Sequence, residues 1–502
     1  MRQLSDKEIC VRNSGAHEKS TARFIFAIVV LVVGIGNVLV SSIPALSYSI
    51  IALQTMILVF CIINMDICAY YLYYIAFVAL SLELEAVQTK TIINIVLLEF
   101  MGISFAAILL VPLIFMTILK VGKIISYLHK NKLTGYVFGF FCVQFVISIF
   151  VGCLLLFTND NNVKSRLPGA LSLFVSHIYA YFVPLALMFV TIAVVADNPD
   201  NIERIKYAVF TILVVVGISM LISWGSGARG QYDTYDYLLA SSCTFYLPCM
   251  VLMAMDFQKR DQKRAWTVIA VFFAVFACVV APSGKSLLVF CTIPVMLLLK
   301  GRSKRTFVIF CILLIPIIIL LGYVVFQIQK IYPNSLVSDK LNQIIGMLDI
   351  TNPNYLAEMP LSPRCRVVEI IGIFNEYVEK PWLALFGKGF LGTFRDDAGL
   401  MVRISNAFTE AQWDAGLFYL PHETFSRLWL MSGLFGVFGF VRISFILLRN
   451  LNKSPMILGG LFWFWFFHGY SISLSVIGIA FLIVGLIDTD QNKRRNRTNE
   501  TI

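Results

Sequence analysis

Residues Tyr207 to Trp224 read YAVFTILVVVGISMLISW, an uncharged run bounded by Arg204 and Lys206 on one side and by Gly225-Ser-Gly-Ala-Arg-Gly230 on the other. A helix of roughly 20 apolar residues is what the roughly 30 Å hydrocarbon layer of a bilayer demands. The flanks give such a helix a direction. Lys and Arg collect on the cytoplasmic side of a membrane, so Arg204 and Lys206 mark the inner end and the Gly-rich turn with Arg229 marks the outer end.

The same pattern repeats outward in both directions. Apolar windows precede it near Phe24–Ser42, Tyr48–Met65, Cys68–Leu82, Ile92–Leu119, Tyr136–Phe157 and Leu171–Val195. Others follow near Tyr237–Met255, Trp266–Val280, Leu287–Leu299, Phe307–Phe326, Phe425–Leu448, Met456–Phe467 and Ile472–Leu486. The expectation is an all-α integral membrane protein with about 14 transmembrane helices and one large, partly helical periplasmic loop. Residues 1–326 would hold the first eleven helices, residues 327–421 the loop, and residues 422–502 the last three helices and a basic tail.

The basic connections agree with that alternation. Lys120, Lys123, Lys130 and Lys132 share one connection, Lys259, Arg260, Lys263 and Arg264 another, and Arg302, Lys304 and Arg305 a third. Arg449 and Lys453, then Lys493, Arg494, Arg495 and Arg497, complete the set and put both termini in the cytoplasm. Lys164 and Arg166 are the exception, falling outside by the same count.

The composition permits little else. Hydrophobic residues make up 59% of the 502-residue chain and charged residues only 14%, far too few for a soluble surface of this size. The net charge of +11 would suit nucleic acid, but the cations sit in short clusters between apolar runs, without the aromatic-laced patch that strand binding uses. No nucleic-acid partner is expected. The eleven cysteines form no CxxC pair and no Cys/His cluster, so neither a structural disulfide nor a metal site is expected, and no cofactor. The first twenty residues lack an apolar segment, which makes the first helix itself the anchor.

Three outer features carry chemistry. Arg229 on its Gly-rich turn could hold a phosphate through guanidinium and backbone N–H groups together, or rest loosely among lipid headgroups. Ser283-Gly-Lys-Ser286 resembles the end of a phosphate-binding loop but has Val279 where the first glycine should stand, so Lys285 is either a phosphate contact or a snorkelling anchor. The third feature is the loop, with Arg364, Arg366, Gly387-Lys-Gly389 and Pro421-His-Glu-Thr424.

Two helices are expected in that loop. One carries Val337, Leu341, Ile344, Ile345 and Leu348; the other follows Pro363 with an apolar stripe of Val367, Val368, Ile371, Phe374 and Val378 and ends at Pro381. His422, Ser426, Trp429 and Gly433 fall on one helical face, where an imidazole can exchange a proton near neutral pH. A lone histidine at a helix start is more often a capping or interfacial residue. Asp396 and Asp397 lack a third ligand nearby, and His468, in Trp463-Phe-Trp-Phe-Phe-His-Gly, reads as part of an interfacial aromatic belt.

The order of these features resembles the O-antigen ligase and polymerase superfamily of bacterial polysaccharide assembly. The resemblance runs from Arg229, with Asp233 and Tyr237, through Ser283-Gly-Lys285, Arg364 to Glu369, Pro381, Gly387-Lys-Gly389 and His422, to Gly433 and Gly436. It departs at Lys285, where many relatives show arginine, and at Glu423, where ligases tend to have asparagine.

It implies an inner-membrane, metal-independent glycosyltransferase that moves a glycan from undecaprenyl diphosphate to a sugar hydroxyl of another lipid-linked repeat unit. His422 or Glu423 would be the base, with Arg229, Lys285, Arg364 and Arg366 on the diphosphate. A chain-length regulator is the protein partner this reading admits. The rival readings are a ligase acting on the lipid A core and a flippase of the same lipids, although no internal repeat or path of intramembrane charges speaks for transport.

Overall fold

The computed structural model describes residues 6–40, 43, 45–81, 98–100, 103–158, 170–226, 229–232, 235–238, 242–261, 264–280, 285, 288–293, 327, 330, 355–397, 399–401, 408–469 and 472–500. The helices used below are α1 (Asp6–Leu39), α2 (Leu46–Ile63), α3 (Ile67–Ala79), α4 (Phe105–Ile108), α5 (Leu110–Ile118), α6 (Val121–Lys130), α7 (Lys132–Phe157) and α8 (Ala170–Asp197). They continue with α9 (Asn201–Gly225), α10 (Met250–Asp261), α11 (Arg264–Val280), α12 (Leu361–Glu379), α13 (Leu383–Phe386), α14 (Thr424–Asn450), α15 (Ile457–Phe466) and α16 (Ile472–Glu500). Two antiparallel hairpins interrupt the helices, β1 (Glu99–Phe100) with β2 (Ile103–Ser104) and β3 (Arg229–Tyr232) with β4 (Tyr235–Leu238).

Among the described residues seven helices are long and apolar enough to cross a membrane: Thr21–Leu39 of α1, α2, α7, α8, α9, α14 and Ile472–Arg494 of α16. The count is up to eight if Phe105–Ile118 and Val121–Lys130, bent by 79°, form one broken span. The expectation of about 14 crossings is therefore corrected.

Length is the physical reason. Ile67–Ala79, Cys243–Gln258, Arg264–Cys278 and Ile457–Phe466 are apolar but only 10–17 residues long, so at about 1.5 Å per residue they fall short of the roughly 30 Å layer. In Ile67–Ala79 and Ile457–Phe466 the apolar residues are largely buried against other helices, whereas Arg264–Cys278 exposes Val268 and Phe272. The expected spans Leu287–Leu299 and Phe307–Phe326 lie outside the described residues apart from 288–293, as do the helix expected at Val337–Leu348 and the pair Lys164 and Arg166.

Helix α16 is the central column, packed against α15, α8, α3, α7 and α9. Val476, Ile477, Phe481, Leu482 and Ile483 are buried along it. Large apolar side chains such as Phe24, Phe60, Phe115, Phe150 and Phe438 are exposed instead, as expected where lipid is the solvent.

One end of the bundle is held by charge. Asp490 of α16 accepts from the backbone N–H groups of Leu133 (3.1 Å) and Thr134 (3.2 Å), satisfying the open amides at the start of α7. Lys206, fully buried at the start of α9, donates to Asp488 at 3.0 Å and to Glu203 at 3.2 Å. Arg23 of α1 lies over the Tyr207 ring of α9 at 5.2 Å, so α1 and α9 meet at this basic end. Lys120, paired with Asp197 at 2.7 Å, is there too.

Candidate active site

The opposite end of the bundle is organised by a break in α14. Gly433 has φ 56° and ψ −141° inside an otherwise regular helix. Two groups take the carbonyls before the break: Lys388 N–H donates to Leu430 O at 2.8 Å, and the Tyr377 hydroxyl lies 2.5 Å from Trp429 O and 3.0 Å from Leu430 O.

Segment Leu383–Gly389 is thereby wedged against α14. A Cβ on Gly387 would stand 2.3 Å from the Met431 carbonyl carbon, and one on Gly433 2.4 Å from Ala384 O. Positive φ and this backbone approach both exclude any other residue. The Gly387-Lys-Gly389 motif is thus a packing device. Lys388 is buried, donating to Glu376 (2.8 Å) and to Thr393 O (2.7 Å), and Arg395 closes the network on Glu376 at 2.9 Å. Asp396 accepts from Met401 N–H at 2.7 Å, and Asp397 lies 3.8 Å from Arg395.

The wedge fixes α12 beside the start of α14. The helix expected after Pro363 forms and ends before Pro381, but its inward face differs from the apolar stripe. Cys365, Val368, Glu369, Ile373, Glu376 and Tyr377 are buried, while Ile371, Phe374 and Val378 are exposed. The hydrogen-bonding groups choose the face here, because an apolar stripe needs no protein partner where lipid is available. Glu369 and Glu376 are seven residues apart, so both carboxylates point inward.

Glu369 is fully buried and meets His422. Its two oxygens accept the His422 backbone N–H at 3.0 and 3.2 Å, and one of them bonds the ring Nδ1. The ring stays 25% exposed, with the Phe408 edge against it at 5.4 Å. A proton held on Nδ1 by a carboxylate leaves Nε2 as the basic nitrogen of the neutral ring. Helix α14 begins at Thr424, so His422 belongs to the irregular segment leading into it, not to the helical face expected for His422, Ser426, Trp429 and Gly433.

Glu423 faces cations instead. Its Oε1 accepts from Arg366 Nε at 2.5 Å and lies 3.6 Å from Lys285 Nζ. The ammonium of Lys285 sits over the rings of Phe466 and Phe467 at 5.3 and 5.0 Å. Burial lowers the Lys285 pKa from its ordinary value; Glu423 opposes the shift, and Arg366 and Arg427 add to it.

Arg427 is the third residue of the expected span Phe425–Leu448, where a cation is a signal in its own right. It is buried, bonded through Nε to Pro421 O and through Nη1 to Gly469 O at 2.6 Å. It ties the segment carrying His422 to the turn before α16. Glu369 is not legible in the sequence as a partner of His422; its inward position is visible only once the buried face of α12 is known.

The remaining candidates are dispersed. Arg364, two residues from Arg366 on α12, points elsewhere and bonds Ala357 O. Arg229 opens β3, in register with Leu238, on the hairpin after α9; its side chain lies outside those described. His468 is buried against Phe141, Tyr181 and Trp463 at 4.8, 5.3 and 5.4 Å, as are Trp463 and Phe464, so this run is core and not an interfacial belt. Among the described residues no group of three or more His, Cys, Asp or Glu could hold a metal ion. No family model, no curated protein and no solved structure matches the chain.

Proposed function

We propose that this membrane protein is a glycosyltransferase using a polyprenyl-diphosphate-linked glycan as donor, of the O-antigen polymerase type. The observation that carries the reading is the pairing of His422 with buried Glu369 directly beside the Arg366–Glu423–Lys285 cluster. A positioned base, and two cations gathered on the residue that follows it, are the two parts this transfer requires. The basic end at Lys206 and Arg494 is taken as cytoplasmic, and the site then opens at the outer face of the bacterial inner membrane.

In this mechanism His422 Nε2 accepts the proton of the acceptor sugar hydroxyl. The hydroxyl oxygen forms a bond to the anomeric carbon as the bond from that carbon to the diphosphate oxygen breaks. Negative charge grows on undecaprenyl diphosphate, where Arg366 and Lys285 stabilise the transition state more than the ground state. Arg229, on the hairpin at the same end as the site, is assigned to the second phosphate; Arg364, turned to Ala357, takes no part. No metal is assigned a role, and a chain-length regulator would act on the same assembly.

Deletion of the gene followed by gel analysis of surface glycan tests the assignment. A single repeat unit on the core supports a polymerase. Unattached lipid-linked polymer would make the chain a ligase, and loss of all external glycan would make it a flippase.

A further inference from the structure

We propose that Glu423 is a built-in stand-in for the donor's diphosphate, holding Lys285 and Arg366 in place until the diphosphate displaces it. The inference rests on the reading above and adds a role for Glu423 that differs from that of a base.

Its geometry is that of a bound anion. One oxygen, Oε1, receives Arg366 Nε at 2.5 Å and faces Lys285 Nζ at 3.6 Å, the arrangement a phosphate oxygen takes between a guanidinium and an ammonium. Glu423 occupies the residue before α14, yet its side chain does not cap the helix; it is turned to the cations.

Its surroundings make it displaceable. The other carboxylates of the site are locked: Glu369 is fully buried on His422, and Glu376 is held by Lys388 and Arg395. The Glu423 side chain is 20% exposed, with Arg366 at 30% and Lys285 at 21%. The exposed edge gives an incoming anion access, and a partly desolvated cation pair keeps a demand for negative charge that the larger charge of a diphosphate meets better than one carboxylate. Arg427 adds a third positive charge acting on Lys285, so one carboxylate balances the local charge incompletely and a diphosphate, carrying more charge, is the better partner. Since Glu423 follows His422 directly, a diphosphate seated there lies beside the base.

The test is binding of inorganic pyrophosphate to the purified full-length protein, with orthophosphate and phosphatidylglycerol vesicles as separate probes. Glu423→Gln removes the competing charge and is expected to bind pyrophosphate about three- to ten-fold more tightly than the parent. Glu423→Ala should do the same, and adding Arg366→Ala to either should cancel the gain. Tighter binding of vesicles but not of pyrophosphate would identify a lipid-headgroup site and overturn the proposal. Unchanged or weaker pyrophosphate binding in both Glu423 variants, with the parent binding normally, would overturn it while leaving the diphosphate reading intact. If neither parent nor variants bind pyrophosphate or undecaprenyl diphosphate in nanodiscs, the diphosphate reading itself fails, and the proposal with it. Loss of turnover in Glu423→Gln at unchanged pyrophosphate affinity would make Glu423 a base and also overturn it.

Discussion

Glu369→Gln keeps the shape of a buried side chain while removing its charge and one of its two acceptor oxygens. In the parent those oxygens accept both N–H groups of His422, the backbone donor at 3.0 and 3.2 Å and the ring Nδ1. Glutamine offers one carbonyl oxygen and one NH2 group, so only one His422 donor is served well. If the carbonyl takes the backbone donor, the NH2 faces Nδ1 and drives the ring proton to Nε2, and the ring can no longer accept a proton there. Loss of a general base costs about 10²- to 10⁴-fold in rate, or roughly 3 to 5.5 kcal/mol in the barrier. Stability should change less, because removing a fully buried charge offsets a hydrogen bond of about 1 to 3 kcal/mol. The assay is release of undecaprenyl diphosphate from a lipid-linked oligosaccharide, with thermal unfolding in detergent measured in parallel. Donor binding should be retained. A folded Glu369→Gln protein that turns over at the parental rate would refute the role given to the Glu369–His422 pair.

Other perturbations probe the rest of the account. The lowered pKa of Lys285 means that its charge, and its share of pyrophosphate affinity, is present at low pH and lost as pH rises, below the range of a free lysine; Lys285→Arg should keep affinity at high pH, and identical pH profiles would contradict this. Asp488→Ala leaves the fully buried Lys206 with Glu203 at 3.2 Å in place of two carboxylate partners and should destabilise the bundle by about 1 to 3 kcal/mol, read as a lower unfolding temperature. Gly387→Ala places a Cβ 2.3 Å from the α14 backbone and should abolish turnover while membrane insertion persists, because the wedge that sets α12 against α14 cannot form. Normal turnover in that variant would detach the wedge from the site.

The sequence made the membrane legible and the site only in part. Hydropathy and basic connections report which segments leave water, and Tyr207–Trp224 falls within α9, one of the long crossing helices. They do not report where an apolar helix stops: Ile67–Ala79 and Ile457–Phe466 are as greasy as any span but end early. The cations of the outer features were visible as residues, yet their partners were not, because Arg366 meets Glu423 across 57 positions and His422 meets Glu369 across 53. Gly387, Lys388 and Gly433 looked like chemistry and proved to be architecture, since only the folded chain brings Gly387 against the break at Gly433. The inward face of α12 was misjudged for a related reason. In water an apolar stripe marks the buried side, whereas beside lipid the hydrogen-bonding groups decide.

The proposed roles give glycosyl transfer from a polyprenyl diphosphate to the His422–Glu369 pair and its neighbouring cations. Their most direct test is the purified protein in nanodiscs with undecaprenyl-diphosphate-linked oligosaccharide and chelator, following lipid diphosphate release and glycan mass for the parent and for His422→Ala. The expected result is release coupled to stepwise lengthening of lipid-linked glycan by the parent, and donor binding with turnover lowered about 10²- to 10⁴-fold in His422→Ala. A parent that binds the donor but releases no lipid diphosphate, or a His422→Ala protein as fast as the parent, would contradict them.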